Sequence, residues 1–210
     1  MTDLPTLITV FTTLFIIIDP PGLAPLFLAL TQGMTAAQRR AIGLRACLIA
    51  GGLMLVFLFL GEAVLAFVGI SMPAFRIAGG VLLFLTALEM LFQRRQARRQ
   101  ENAEEGAIEH TDDPSVFPLA LPLIVGPGAI TTIILYAGQA QGAADIAAII
   151  GVLAAVLLIV FLSFLSSGVI ERALGKTGIN IVTRVLGMLL AALAIQFVLD
   201  GIRQSFGLGS

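Results

Sequence analysis

The chain has 210 residues, of which 58% are hydrophobic and only 12% are charged, and its mean hydropathy is +1.03. Soluble domains are nearer half apolar and a quarter charged, and a chain this short cannot hide so much apolar surface from water. Its 12 Lys and Arg against 13 Asp and Glu leave no basic stripe for nucleic-acid phosphates. These values argue against a soluble enzyme, a disordered chain and a nucleic-acid-binding protein.

The few residues that could bind a metal or catalyse a reaction limit the possible functions further. The single Cys47 excludes an intramolecular disulfide and a Cys-based zinc site. His110, the only histidine, lies in the most polar stretch and is interpreted as a solvated loop residue. An intramembrane enzyme would need paired acids, or Ser with His, at membrane depth. Because Asp19 is the only deep acid and no His lies in an apolar run, we expect neither an enzyme nor a bound metal or cofactor.

Long apolar runs predict a protein built from membrane-spanning helices. Runs of about 18 or more apolar residues are typical of such helices, and the segments lack the polar alternation of barrel strands. Helices also satisfy every backbone polar group within hydrocarbon. Fitting spans of about 20 residues along the chain predicts six of them, at 7–30, 43–67, 74–92, 116–137, 146–168 and 183–201.

Basic residues are distributed unevenly among the loops between these spans. All but two of the 12 lie in or beside loops 1, 3 and 5, and the exceptions are Arg76 and Arg203. Cytoplasmic loops carry an excess of Lys and Arg, so loops 1, 3 and 5 are predicted inside and both termini outside. The N-terminus has no basic region of the kind that begins a signal peptide, and the first span is expected to be retained.

Residues 93–114 form the only long hydrophilic connection and divide the chain into three parts. A first three-helix repeat covers 1–92, a charged cytoplasmic loop covers 93–114, and a second three-helix repeat covers 115–210. The helical spacing of Arg94, Arg95, Arg98 and Arg99 predicts that the third span extends into the cytoplasm. The loop is interpreted as a solvated linker, with a regulatory or partner-binding role as the alternative.

Short matching motifs indicate an internal repeat. Pro21-Gly22 in the first span aligns with Pro127-Gly128 in the fourth at an offset of 106 residues, and 76–79 (Arg-Ile-Ala-Gly) aligns with 184–187 (Arg-Val-Leu-Gly) at an offset of 108. Each half then holds three spans, and an odd number places the second half in the opposite orientation. We therefore predict an all-α integral membrane protein with six transmembrane helices as two inverted three-helix repeats, in which spans 1 and 4 are broken near the midplane.

The two breaks predict a binding site. Proline in a helix interior removes a donor and clashes with the preceding turn. The breaking clusters are Asp19, Pro20, Pro21 and Gly22 in span 1, and Gly126, Pro127 and Gly128 in span 4. Asp19 and Gly126 are placed as N-caps, with proline following at the first helical position. Because each new N-terminus exposes backbone N–H groups and a positive dipole end, the pair is expected to bind a small anionic group such as a carboxylate.

Three side chains near these breaks have candidate roles. Asp19 is the only acid near the middle of a span, and intramembrane carboxylates are functional candidates by default. It is a candidate for binding a substrate ammonium group or carrying a coupling proton, unless it only caps the half-helix. Thr131 is a further candidate for contacting substrate, although such threonines often bond their own backbone. Glu89, near the inner edge, is expected to snorkel or to pair with Arg45.

The motifs resemble those of the MarC family of bacterial membrane proteins. The similar segments are 19–22 (DPPG), 76–80 (RIAGG), 122–130 (PLIVGPGAI) and 179–187 (INIVTRVLG), and the resemblance covers nearly the whole chain. It implies a multi-pass protein of the bacterial inner membrane, related to the LysE-like transporters. Some members are linked to neutral amino acid transport, but the resemblance does not fix the substrate of this chain.

These observations predict a secondary transporter of small solutes, with neutral amino acids first, that works by alternating access around a midplane site. Its expected partners are the lipid bilayer and a small-molecule substrate such as a zwitterionic amino acid, with a homo-oligomer left open. Coupling to H+ or Na+ would need no cofactor, and the chain has no phosphate-binding loop for direct use of ATP. The alternatives are an exporter of another small metabolite or drug, and a non-transporting membrane scaffold or channel.

Overall fold

A computed structural model describes residues 4–95, 98–101 and 114–207, and in these ranges the regular structure is entirely helical. The prediction of an all-α protein is therefore confirmed. His110 and most of the charged loop lie outside the described residues. The helices are α1 (Leu4–Ile18), α2 (Pro20–Leu30), α3 (Ala36–Val68), α4 (Met72–Leu91), α5 (Ser115–Ile124), α6 (Pro127–Ala137), α7 (Ala143–Leu165) and α8 (Ser167–Ser205).

The described helices provide five candidate membrane spans, and a sixth if α5 and α6 count as one bent pair. The bend between α5 and α6 is 63°. The five spans are Leu4–Leu30, which contains both α1 and α2, and the single helical segments Ala36–Val68, Met72–Leu91, Ala143–Leu165 and Thr177–Ser205. Each of the six segments predicted from the sequence overlaps one of these spans or the bent pair.

Local capping explains why α3 begins earlier than the predicted boundary at residue 43. Thr35 and Gln38 form a capping box, in which Gln38 N donates to Thr35 Oγ1 at 3.3 Å and Thr35 N donates to Gln38 Oε1 at 2.9 Å. This arrangement satisfies backbone donors that the first helical turn leaves without partners. The helix therefore begins in the polar sequence before the apolar run.

The short helices α1, α2, α5 and α6 form the centre of the bundle, and the long helices surround them. In the first span 67% of the most apolar window is buried, compared with 28% to 33% in the other four continuous spans. Large apolar side chains such as Phe59 and Phe67 on α3 are exposed, as expected for a surface that faces lipid. The first helix break, at Asp19, consequently lies in the protein interior.

Glycines allow α4 and α8 to pack closely along their length. A Cβ atom on Gly80 would lie 2.8 Å from Ala194 O, and one on Gly187 would lie 3.2 Å from Ala87 O. Small residues permit such close approach between membrane helices. Because the earlier part of α4 meets the later part of α8 and the reverse, the two helices run antiparallel.

Candidate functional site

Asp19 separates α1 from α2 within a single candidate span. Its backbone is left-handed (φ 58°, ψ 64°), and its Oδ1 accepts a hydrogen bond from Gly22 N at 3.2 Å. Pro20 begins α2, where the absence of an N–H leaves no intrahelical bond unmade. Gly22 leaves room for the carboxylate, since a Cβ atom at this position would collide with Asp19 Oδ2. The start of α2 is thus closed by its own capping side chain.

Two arginines that follow α4 close the other side of the same break. Arg99 Nη1 lies 3.2 Å from Asp19 Oδ2, and Arg99 Nη2 donates to Ile18 O at 3.0 Å. Arg95 Nη2 donates to Ile17 O. These carbonyls end α1, where the helix itself provides no donor. The Asp19 side chain is 0% exposed and that of Arg99 is 6% exposed, so the first break contains a buried and fully partnered ion pair.

The second break, between α5 and α6, is open by comparison. Gly126 is the N-cap of α6 and provides no capping side chain. The N–H groups of Ala129 and Ile130 donate to Gly126 O. Gly128 N–H lies in the first helical turn, where a helix supplies no acceptor. The second half of the fourth span therefore presents an uncapped, positively polarised N-terminus.

The irregular path of α5 follows from its prolines. Phe117 and Leu121 have extended backbones, with φ/ψ of −124°/126° and −122°/128°. They precede Pro118 and Pro122, and the residue before proline is disfavoured in the α region. This path brings the chain to Gly126 at an angle to α6 rather than in line with it.

A cavity of about 160 Å³ lies against the second break. A single water needs only about 10–15 Å³ of such space, so the cavity is large enough for a small solute. Its wall combines the N-terminus of α6, an apolar surface from α4 and α1, and charged side chains from the segment after α4. The residues that line the cavity include Ile17, Leu82, Leu85, Glu89, Arg95, Arg98, Arg99, Gly126, Pro127 and Gly128.

The charges that line this cavity are unequally paired. Arg98 Nη1 lies 2.9 Å from Glu89 Oε1, and Arg99 is paired with Asp19. Arg95 donates to Met90 Sδ at 3.0 Å and to Ile17 O, and no carboxylate among the described residues forms an ion pair with it. Burial and the neighbouring Arg99 together lower the pKa of Arg95 to about 9. At neutral pH the cavity therefore retains one guanidinium charge that no carboxylate in the described part of the chain pairs with.

The opposite end of the helix bundle is closed. Thr13 Oγ1 and Tyr136 OH lie 3.2 Å apart in the interior, and the Tyr136 ring packs edge-on against Phe197 with centroids 6.0 Å apart. Arg76, near Tyr136, is only 5% exposed. Tyr136 lies nine residues beyond Pro127, roughly 13 Å along the axis of α6. Arg95, Arg98 and Arg99 thus line one side of the cavity, and Tyr136 is packed against Thr13 and Phe197 at the other end of the bundle.

Comparison with known proteins identifies the family. Residues 4–206 match the family described as MarC family integral membrane protein. The chain belongs to the MarC family. It is therefore an integral, multi-pass membrane protein. No solved structure matches it.

The relatives of this MarC family member are similar over almost their full length. The UPF0056 membrane protein of Archaeoglobus fulgidus is 41% identical over 197 residues, which cover 92% of this chain and 91% of the relative. UPF0056 membrane protein YhcE of Escherichia coli is 34% identical, with 97% and 95% coverage. YvbG of Bacillus subtilis is 34% identical, with 95% coverage of both chains. Their names describe a membrane protein and state no activity.

The structure brings only part of the predicted MarC site to the cavity. Gly126, Pro127 and Gly128 line it, and Asp19 is covered by Arg99. Thr131 is 6% exposed and packs against Gly79 of α4. Pro20 and Gly22 are buried in the first turn of α2, while Pro21 is half-buried there.

Sequence reasoning did not assign the charged residues of the cavity to the site. The structure pairs Glu89 with Arg98, and it places Arg95 and Arg99 against the end of α1 instead of in a solvated extension of α4. A usable signal was present, because a carboxylate at membrane depth requires a counter-charge. Arg95 and Arg99 are four residues apart and share a helix face, which makes this segment a source of that counter-charge.

Proposed function

We propose that this MarC family member is a secondary transporter of small solutes, with neutral amino acids as the first candidates. The main supporting observation is the cavity at the second break. It combines an open helix N-terminus, an apolar wall and the Arg95 guanidinium, which has no carboxylate partner among the described residues. Transporter sites are typically formed where discontinuous helices expose their N-termini to anionic groups of the substrate. The proposal concerns binding and movement of a solute and includes no chemical conversion.

Reciprocal contacts between α4 and α8 support the interpretation of two inverted repeats, 1–92 and 115–210. Gly80 approaches Ala194 and Val198, and Gly187 approaches Ala87 and Leu91. Residues 80, 87 and 91 are each 107 positions before 187, 194 and 198. Contacts that exchange in this way are the mark of a two-fold relation. For antiparallel helices that relation turns one half of the chain upside down with respect to the other.

Contacts among the surrounding helices also support two inverted repeats, in which α2, α3 and α4 correspond to α6, α7 and α8. The corresponding helices α3 and α7 pack against each other, as α4 and α8 do. The contact between α3 and α6 is matched by the contact between α7 and α2. The buried positions of α3 and α7 also follow one spacing, Gly43, Ala46, Cys47, Ala50 and Met54 in the first, and Leu153, Val156, Leu157, Val160 and Phe164 in the second. Inverted repeats of this kind support alternating access, in which one half moves against the other around a central site.

The proposed cycle starts from the state that the structure represents. We propose that the cavity opens past Arg98, whose side chain is 62% exposed, and that the hydrogen bond between Thr13 and Tyr136 closes the other end. On the basis of the basic loops, we propose that the accessible side is the cytoplasm, that both termini are outside and that the protein resides in the inner membrane. Coupling would use an H+ or Na+ gradient.

Counterflow in proteoliposomes tests the proposal. Vesicles loaded with a high concentration of one unlabelled neutral amino acid should accumulate the same labelled amino acid transiently, and protein-free vesicles should not. A pH or Na+ gradient imposed in separate assays identifies the coupling ion by accelerating uptake. Absence of counterflow across the neutral amino acids would contradict this substrate choice, and screening other metabolites and drugs would then test the exporter alternative. Absence of counterflow with every amino acid, metabolite and drug tested would favour a non-transporting scaffold.

A further inference from the structure

Among the side chains that line the cavity, Glu89 carries a carboxylate that is partly exposed. Its ion pair with Arg98 can be replaced by another cation. We propose that Glu89 binds the ammonium group of a zwitterionic substrate, and that it becomes available by exchanging Arg98 for that group. This inference rests on the proposed function and adds to it the residue that selects for an amino group. It also moves that role from Asp19, where sequence reasoning placed it, to the third span.

The ion pair between Glu89 and Arg98 is built to be exchangeable. The Glu89 side chain is 32% exposed and that of Arg98 is 62% exposed, and a single contact of 2.9 Å joins them. Exposed pairs gain little net stability because water solvates both partners well when they separate. An ammonium group that enters the cavity can therefore replace Arg98, which keeps its hydration outside.

Asp19 lacks these properties. Its side chain is 0% exposed, and it is held by both Arg99 and the N–H of Gly22. Separating a buried pair leaves an uncompensated charge, which is strongly unfavourable. The side chain of Arg99 would also have to abandon Ile18 O, the carbonyl at the end of α1. A substrate ammonium would thus need to dismantle the first break in order to reach this carboxylate.

The other end of a zwitterion has its own partners in the same cavity. Arg95 lacks a carboxylate partner among the described residues, and the N–H of Gly128 opens the first turn of α6. A carboxylate binds well to both an arginine and a helix N-terminus. Glu89 and Arg95 therefore provide one group of each sign, and a ligand with both charges can match both.

This arrangement predicts selection between ligands that differ only in the amino group. Alanine and propionate share a three-carbon skeleton and a carboxylate, but only alanine offers an ammonium to Glu89. Propionate leaves the pair between Glu89 and Arg98 intact and gains nothing from it. Removing the charge of Glu89 should consequently affect alanine alone, whereas removing Arg98 should strengthen alanine binding by freeing Glu89.

The test is to measure dissociation constants of alanine and propionate by calorimetry on purified full-length protein in detergent. Wild type should bind alanine at least about tenfold more tightly than propionate, which corresponds to about 1.4 kcal/mol. Glu89→Gln should weaken alanine binding about tenfold and change propionate binding less than about threefold. Arg98→Gln should tighten alanine binding about threefold. Glu62→Gln, an exposed substitution on α3 outside the cavity, is the matched control and should leave both constants unchanged.

The outcomes separate this inference from the proposal beneath it. Equal weakening of both ligands by Glu89→Gln, no effect on either, or weaker alanine binding in Arg98→Gln would overturn the exchange at Glu89 while leaving transport intact. Arg95→Gln should weaken both ligands alike, because both carry the carboxylate. If the wild-type protein binds neither alanine nor propionate, both the proposed neutral amino acid substrate and the proposed role of Glu89 are wrong.

Discussion

The two helix breaks at the centre of this protein have similar sequences and opposite environments. The break at Asp19 is closed on both sides, by the capping bond to Gly22 and by the ion pair to Arg99. The break at Gly126 has no capping side chain and adjoins a cavity of about 160 Å³. The first break therefore has its polar groups satisfied by the protein, and the second has them available to a ligand.

This difference shows why a helix N-terminus at membrane depth is not in itself a binding site. Both breaks begin a helix with proline, and both contain a glycine in the first turn. The two breaks differ in the capping residue. The aspartate accepts a hydrogen bond from a backbone N–H of the helix and, because it is buried, requires a cation as a partner. The glycine has no side chain, so it neither caps the helix nor needs a counter-charge. Under the proposed function, the fourth span binds the substrate and the first span provides structural support.

Disrupting the sealed break is expected to have the largest effect on stability. Arg99→Gln removes the partner of a carboxylate that is 0% exposed. Loss of one member of a buried pair costs about 3–5 kcal/mol, and we expect the free energy of unfolding to fall by about that amount. Asp19→Asn keeps a capping side chain and leaves Arg99 unpaired, so it should also lower this free energy. Denaturant titration in mixed micelles measures both changes.

Arg98→Gln is the control for that experiment. The ion pair that it removes is partly exposed on both sides, and such pairs contribute about 0–1 kcal/mol. Its free energy of unfolding should stay within about 1 kcal/mol of the wild-type value. If Arg98→Gln and Arg99→Gln were equally destabilising, the distinction between a sealed and an open break would be wrong.

The same substitution in both breaks sharpens the comparison. In Gly22→Ala the new methyl group would collide with the Asp19 carboxylate, and disruption of a helix cap should lower the free energy of unfolding by about 1–2 kcal/mol. In Gly128→Ala the methyl group would lie 3.1 Å from Leu83 Cδ2 and 3.4 Å from Ile17 Cγ2, at the wall of the cavity.

Gly128→Ala should therefore alter transport more than stability. We expect the dissociation constant of alanine to rise about tenfold, equivalent to about 1.4 kcal/mol of lost binding, and the initial rate of counterflow at low alanine concentration to fall with it. The contact of this methyl group with Leu83 is longer than that of the Gly22→Ala methyl group with the Asp19 carboxylate, so the free energy of unfolding should change less than in Gly22→Ala. A stable Gly128→Ala protein with normal counterflow would argue against a substrate position at α6.

The smallest effect is expected at the closed end. Tyr136→Phe removes the hydrogen bond to Thr13, which retains its bond to Thr9 O at 2.7 Å. The free energy of unfolding should fall by about 0.5–1.5 kcal/mol. The dissociation constant of alanine should remain unchanged, because Tyr136 lies roughly 13 Å from the cavity along α6. A loss of alanine affinity as large as that in Gly128→Ala would place the substrate too close to Tyr136 for the present assignment.

Local features of this fold could be predicted from the sequence, and long-range pairings could not. Apolar runs identified the helical segments, and the positions of Asp19, Pro20 and Gly126 follow from helix chemistry that spans a few residues. The pairing of Asp19 with Arg99 joins positions 80 residues apart, and no periodicity encodes it. Glu89 was similarly identified as an inner-edge acid, but its partner depends on how the segment after α4 folds back.

The most direct test of the central claim is a crystal structure of the protein with bound alanine, grown from a lipid phase. We predict density for one alanine in the cavity, with its carboxylate near Arg95 and Gly128 N–H and its ammonium near Glu89, while Asp19 stays paired with Arg99. Alanine bound to Asp19, or an empty cavity in a protein that transports alanine, would contradict the assignment of binding to the second break.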